Sequence, residues 1–111
     1  MKNWNHITEI NTIEDIIKAS NSKPQILFKD SVTCGISAFA KSRLTEGNDL
    51  LIDSADFNYL DLLKYRAISN HIADVFDVYH QSPQIIVLKN EKVVYTSSHH
   101  SIQPKEIAKH L

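Results

Sequence analysis

The 111-residue chain predicts an α/β fold, a mixed central sheet with helices on both faces in the order β-α-β-α-β-α-β-β-α. Two observations carry this. Short apolar runs alternate with segments whose apolar residues recur at helical spacing, the pattern of parallel strands joined by right-handed crossovers. The last two apolar runs are separated only by Lys89-Asn90-Glu91, a hairpin-length loop that pairs them antiparallel.

Taken in order, HITEI (6–10) alternates apolar and polar residues and reads as a short first strand. In NTIEDIIKAS, Ile13, Ile16 and Ile17 share one helical face behind Asn11 or Thr12 as the cap. Asn21 to Pro24 is a turn, and QILFKD (25–30) follows as a strand. Its unbroken Ile26, Leu27 and Phe28 mark it as buried on both faces and therefore central.

A second helix starts near residue 35, with Ile36, Phe39, Ala40 and Leu44 as its apolar stripe. EGND (46–49) interrupts it, and LLIDSAD extends it by a turn or two before the strand FNYLDL (57–62). Ser69 has the character of an N-cap, ahead of Ile72, Val75, Phe76 and Tyr79 at helical spacing. QIIVL (84–88) and KVVYT (92–96) form the hairpin, and a helix from about Gln103 carries Ile107, Ala108 and Leu111. There is no internal repeat, low-complexity tract or linker, so residues 1–111 are expected to form a single domain.

Composition narrows the function. The net charge is −1 with both signs scattered, which lacks the basic patch of a nucleic-acid binder. The longest uninterrupted apolar run, IIVL (85–88), is far short of the roughly 20 residues that cross a bilayer. MKNWNHITEI has no apolar export signal, and one cysteine cannot form an internal disulfide. A cytoplasmic protein with no membrane or nucleic-acid partner is expected.

The one cysteine, Cys34, lies in FKDSVTCGISAF between the central strand and the second helix. Groups beyond the C-terminal ends of parallel strands are where α/β sheets place their chemistry. There a thiolate meets unsatisfied N–H groups and the positive end of the helix dipole, which lower a thiol pKa from about 8.5 into the range of roughly 3.5–7.5. Gly35 leaves the sulfur unshielded, and Lys29 is near enough in sequence to add positive charge if it points that way. The plain alternative is a buried, inert thiol. Cys34 precedes the apolar stripe instead of lying on it, and Ser31, Thr33 and Ser37 surround it with polar groups, so display is the better reading.

Pro83, in QSPQ (81–84), opens a strand, where its missing N–H is tolerated. A cysteine opening the helix after the central strand, with a proline opening the hairpin, resembles the thioredoxin fold over nearly the whole chain. Usual members carry Cys-x-x-Cys, whereas this chain has Cys34-Gly35-Ile36-Ser37. CGIS is similar to the CGFS of monothiol glutaredoxins. The fuller resemblance is to the YtxJ-like monothiol bacilliredoxins, through FKDSVTCGIS, LDLLKYRAISNHIA, HQSPQIIVLKN and SHHSI. Typical members have proline where Gly35 stands.

The resemblance implies a thiol–disulfide oxidoreductase acting on mixed disulfides between proteins and bacillithiol, with Cys34 as the attacking thiolate. No cofactor is implied as resident; bacillithiol is a co-substrate, and bacillithiolated proteins are the partners of a monomer. The resemblance also implies that Pro83 is cis, leaving the Ser82 backbone free to pair with an extended substrate. Thr33, Gly35, Ile36 and Ser37 then flank the substrate, and the Ser37 hydroxyl either bonds the thiolate or is an ordinary first-turn serine. Arg66 falls on the same strand rim as Cys34, suited to a carboxylate of an anionic thiol or simply solvated. Ser97 to Ser101, with His99, occupy the place where glutaredoxins grip such a carboxylate. His99 and His100 lack metal-ligand spacing, and no metal is expected. His71 and His80 flank a helix and read as surface or partly buried side chains. Two other functions fit the same residues: an iron–sulfur carrier, which anaerobic purification as a brown dimer would reveal, and a non-catalytic interaction module with a packed Cys34.

Overall fold

The computed structural model describes residues 4–111. Its strands are β1 (Trp4–His6), β2 (Gln25–Asp30), β3 (Asp56–Asp61), β4 (Gln84–Lys89) and β5 (Lys92–Ser98). The helices are α1 (Asn11–Ala19), α2 (Gly35–Glu46), α3 (Arg66–Phe76) and α4 (Pro104–Ala108), with 3₁₀ turns at Asn48–Leu50 and His99–Ser101. The expected order is therefore the observed one. One five-stranded sheet results, in the order β1-β3-β2-β4-β5. β1, β3 and β2 run parallel, while β4 is antiparallel to both β2 and β5.

β2 is central and buried along its whole length. Its side chains alternate between two cores, as strand geometry requires. Ile26 and Phe28 join Ala40 and Leu44 of α2 and Ile107 of α4 on one face. Leu27 meets Ile13 and Ile16 of α1 and Ile68 and Ile72 of α3 on the other. The same alternation sends Asp30 to the α2 face and Lys29 to the α1/α3 face.

Several expected boundaries move, each for a local reason. The first strand is residues 4–6, not 6–10, because Trp4 stacks on Phe57 with ring centroids 4.3 Å apart and brings its own backbone beside β3. Ser69 is not an N-cap: α3 begins at Arg66, and Ser69 lies inside it, buried with Ile68 and Ile72. Asp77, in the left-handed conformation at φ 51°, ends that helix. Tyr79 thus lies outside the helix and is 84% exposed, while Val75 also faces water. In α2 the stripe on the sheet is Ser37, Ala40 and Leu44, with Ile36 and Phe39 turned to solvent. LLIDSAD does not extend α2; a 3₁₀ turn and further turns lead to β3.

The hairpin turns on Asn90 and Glu91, both with positive φ, between the paired Lys89 and Lys92. Such two-residue turns match the twist of the strands but suit glutamate poorly. Anchoring offsets this. The N–H groups of Asn90 and Glu91 donate to the carbonyl and hydroxyl oxygens of Ser20 at 2.9 and 2.8 Å.

Candidate active site at Cys34

Cys34 is the N-cap residue of α2, with extended backbone at φ −97°, ψ 127°. Its carbonyl accepts the first helical bond, from Ala38 N–H at 3.1 Å, and its own N–H donates to the Ser31 carbonyl at 2.9 Å. The side chain is free of any disulfide and partly exposed. A Cβ placed on Gly35 would meet nothing within 4 Å, so the approach over that residue is open. Thr33 and Ile36 are exposed on either side, with Val32 and Phe39 adding apolar surface. Cys34 is partly exposed at the rim, at the start of a 12-residue helix whose first N–H groups have no partner within the helix.

Ser37 is different from its neighbours, being fully buried. Its hydroxyl accepts from Ser31 N–H at 3.2 Å and so clamps the loop that carries the thiol. The same hydroxyl lies near enough to Asp30 to favour that residue's charged form. Asp30, the last residue of β2, accepts the Tyr59 hydroxyl at 2.5 Å and lies 4.0 Å from the Lys41 ammonium. Burial nevertheless outweighs these partners and raises its pKa above the ordinary carboxylate value. The Tyr59 phenol is likewise pushed up, first by burial and then by the neighbouring Asp30.

The second half of the rim comes from the start of β4. The Ser82–Pro83 bond is cis. The Pro83 carbonyl accepts the His99 N–H at 3.1 Å, and the His99 carbonyl accepts Arg43 Nη2–H at 3.0 Å. His99, at φ 53°, is thus tied by its backbone to the proline and to α2. Ser97 and Ser98 end β5 and the following turn spans His99–Ser101, ahead of a last helix of only five residues. Arg66 opens α3 just beyond β3 and is exposed. Because β3 runs parallel to β2, Arg66 and Cys34 follow the same end of the sheet.

The chain matches the family described as "Monothiol bacilliredoxin BrxC" over residues 5–107. The chain belongs to the monothiol bacilliredoxin family. A single cysteine, at the helix start after the central strand, fits that designation. Solved structures agree on the fold. One described as a candidate oxidoreductase with a thioredoxin fold is 28% identical, with a TM-score of 0.84 over 97% of this chain and 93% of its own. Mitochondrial thioredoxin 3 of Saccharomyces cerevisiae, in oxidised form, is 17% identical, with a TM-score of 0.71 over 97% and 92%. A redox protein from Chlamydomonas reinhardtii is 16% identical, with a TM-score of 0.77 over 96% of this chain and 34% of its own. The fold is thioredoxin-like and the activity class is thiol–disulfide oxidoreductase.

Two pairings near the rim are not legible in the sequence. Asp30 and its donor Tyr59 come from adjacent strands, a register that sequence spacing does not reveal. Lys29 is shut off from solvent, and its Nζ lies 2.9 Å from Nδ1 of His80. Lys29 therefore points to the α3 side and His80, away from the α2 face. The signal for it was present: a lysine inside a strand read as buried on both faces needs a partner. Among the described residues no cluster of three metal-ligating side chains occurs, and no helix is long and apolar enough to cross a membrane.

Proposed function

We propose that this protein removes bacillithiol from protein mixed disulfides through a covalent Cys34 intermediate. The Cys34 thiolate attacks the bacillithiol sulfur of the mixed disulfide. A Cys34–bacillithiol disulfide forms and the target protein leaves as its thiolate, which takes up a proton. A second bacillithiol thiolate then attacks the adduct, giving bacillithiol disulfide and restoring Cys34. The observation that carries this reading is a partly exposed thiol on the residue that opens α2, with no second cysteine in the chain. Such a protein starts an exchange but needs an external thiol to finish it.

Around the sulfur, open space over Gly35 admits the disulfide, and the Ser82–Pro83 backbone offers pairing to an extended target. Arg66 supplies a cation on the same rim for an anionic thiol. Bacillithiolated proteins are the partners, and the working form is a cytoplasmic monomer. The test is a bacillithiolated target incubated with the protein and excess bacillithiol, read by release of the target's free thiol. The Cys34→Ser variant is expected to lose the accelerated release entirely; release at the wild-type rate would overturn the mechanism.

A further inference from the structure

Lys29 and Arg66 are both cations, and Lys29 reaches the His80 ring directly. Lys29 is fully buried, and no carboxylate forms an ion pair with it or with Arg66 among the described residues. An ammonium has only donors, so the 2.9 Å contact makes Nδ1 of His80 the acceptor. The ring proton of neutral His80 then sits on Nε2, on a side chain exposed to solvent. Burial, then Lys29, then Arg66 lower the His80 pKa. Burial brings Lys29 down only to about 8, so both the ammonium and the neutral imidazole persist at pH 7. Two residues past His80, the Ser82 hydroxyl is buried without a hydrogen-bond partner. A buried ammonium and a rim guanidinium without a carboxylate partner are complemented by an anion.

We propose that His80 and Arg66 bind a carboxylate of the incoming mixed disulfide, with Lys29 positioning His80 as a fixed Nε2–H donor. This rests on the exchange reading of Cys34 and extends it to selectivity. His80 does not move a proton in this arrangement. Glutamine has the same acceptor-plus-donor character, so His80→Gln keeps the function while His80→Ala loses it.

The experiment compares three disulfides: bacillithiol on a peptide without acidic residues, 2-mercaptoethanol on that peptide, and 2-mercaptoethanol on a peptide with glutamate beside its cysteine. The readout is kcat/KM on each carboxylate-bearing disulfide divided by that on the carboxylate-free one. His80→Ala and Arg66→Gln are expected to lower this ratio about tenfold, and Lys29→Met several-fold, each with an intact melting transition. His80→Gln is expected to stay within twofold of wild type. A fall confined to the bacillithiol disulfide assigns the carboxylate to the small thiol, and one confined to the glutamate peptide assigns it to the protein target. An unchanged ratio in His80→Ala and Arg66→Gln, or an equal fall in His80→Gln and His80→Ala, would overturn the proposal. Malate titrated into ¹⁵N-labelled protein keeps the two readings separable. Shifts of the His80 ring that vanish in Arg66→Gln support the subsite even if Cys34 takes up no bacillithiol, and their absence in wild type counts against it.

Discussion

A lysine in the middle of a protein costs free energy unless its charge is met. Lys29 donates to His80 yet has no counter-ion among the described residues, and its pKa is down from 10.5 to about 8. The folded value lies below the unfolded one, so the unfolded chain binds the proton more tightly between them. Stability is expected to climb as pH rises from about 8 toward 10.5 and to be lost as pH falls through 8. Tyr59, whose pKa is raised, acts in the opposite sense only above its unfolded value of 10.0, so it does not oppose this slope between pH 8 and 10. Lys29→Met, close in volume, should abolish the slope and raise stability at pH 7 by on the order of 3 kcal/mol. Denaturant titrations at pH 7 and pH 9.5 check both outcomes; a slope that survives the substitution would show that other groups produce it. At this scale the thiol was legible, because its chemistry depends on local position at a helix start. The groups around Asp30 and Lys29 were not, since strand register and burial decide their partners.

Among elements, β2 and the hairpin were the most legible. Unbroken apolar residues flanked by turn residues have few alternatives, and the short loop leaves little choice of pairing. The helices were legible in existence but not in phase. In α2, Ile36 and Phe39 invited assignment to the buried stripe, but the face set by Ala40 and Leu44 takes Ser37 instead. A serine suits that face because its hydroxyl holds the Ser31 N–H. In α3, Ser69 had cap chemistry, but Ile68 and Ile72 at i and i+4 need the helix to begin earlier. The end of α2 has a stricter requirement. A Cβ on Gly47 would collide with the ring of Pro104, which opens α4. Gly47→Ala is therefore expected to cost roughly 1–3 kcal/mol, as overpacking does. Thermal melts should show the drop; an unchanged melting temperature would mean that α4 moves aside freely.

Across the whole molecule, the topology puts chemistry at one end of the sheet. β2 and β3 are parallel and both deliver their chains to that rim, one to Cys34 and the other to Arg66. β4 is antiparallel and starts there, which brings in the cis proline and His80. The element order foresaw Cys34 and Arg66 on one rim, the place of Pro83 followed from the resemblance to the thioredoxin fold, and His80 was read only as a side chain flanking a helix. The match to the bacilliredoxin family over residues 5–107 places the thiol chemistry on that scaffold. The central claim is that Cys34 is a working thiol whose preferred partner is bacillithiol. Intact-mass spectrometry of the reduced protein, mixed in parallel with the disulfides of bacillithiol, glutathione and coenzyme A, tests it most directly. A single adduct on Cys34, formed fastest with bacillithiol disulfide, is the predicted result. No adduct, or one that forms equally fast with all three, would contradict the account.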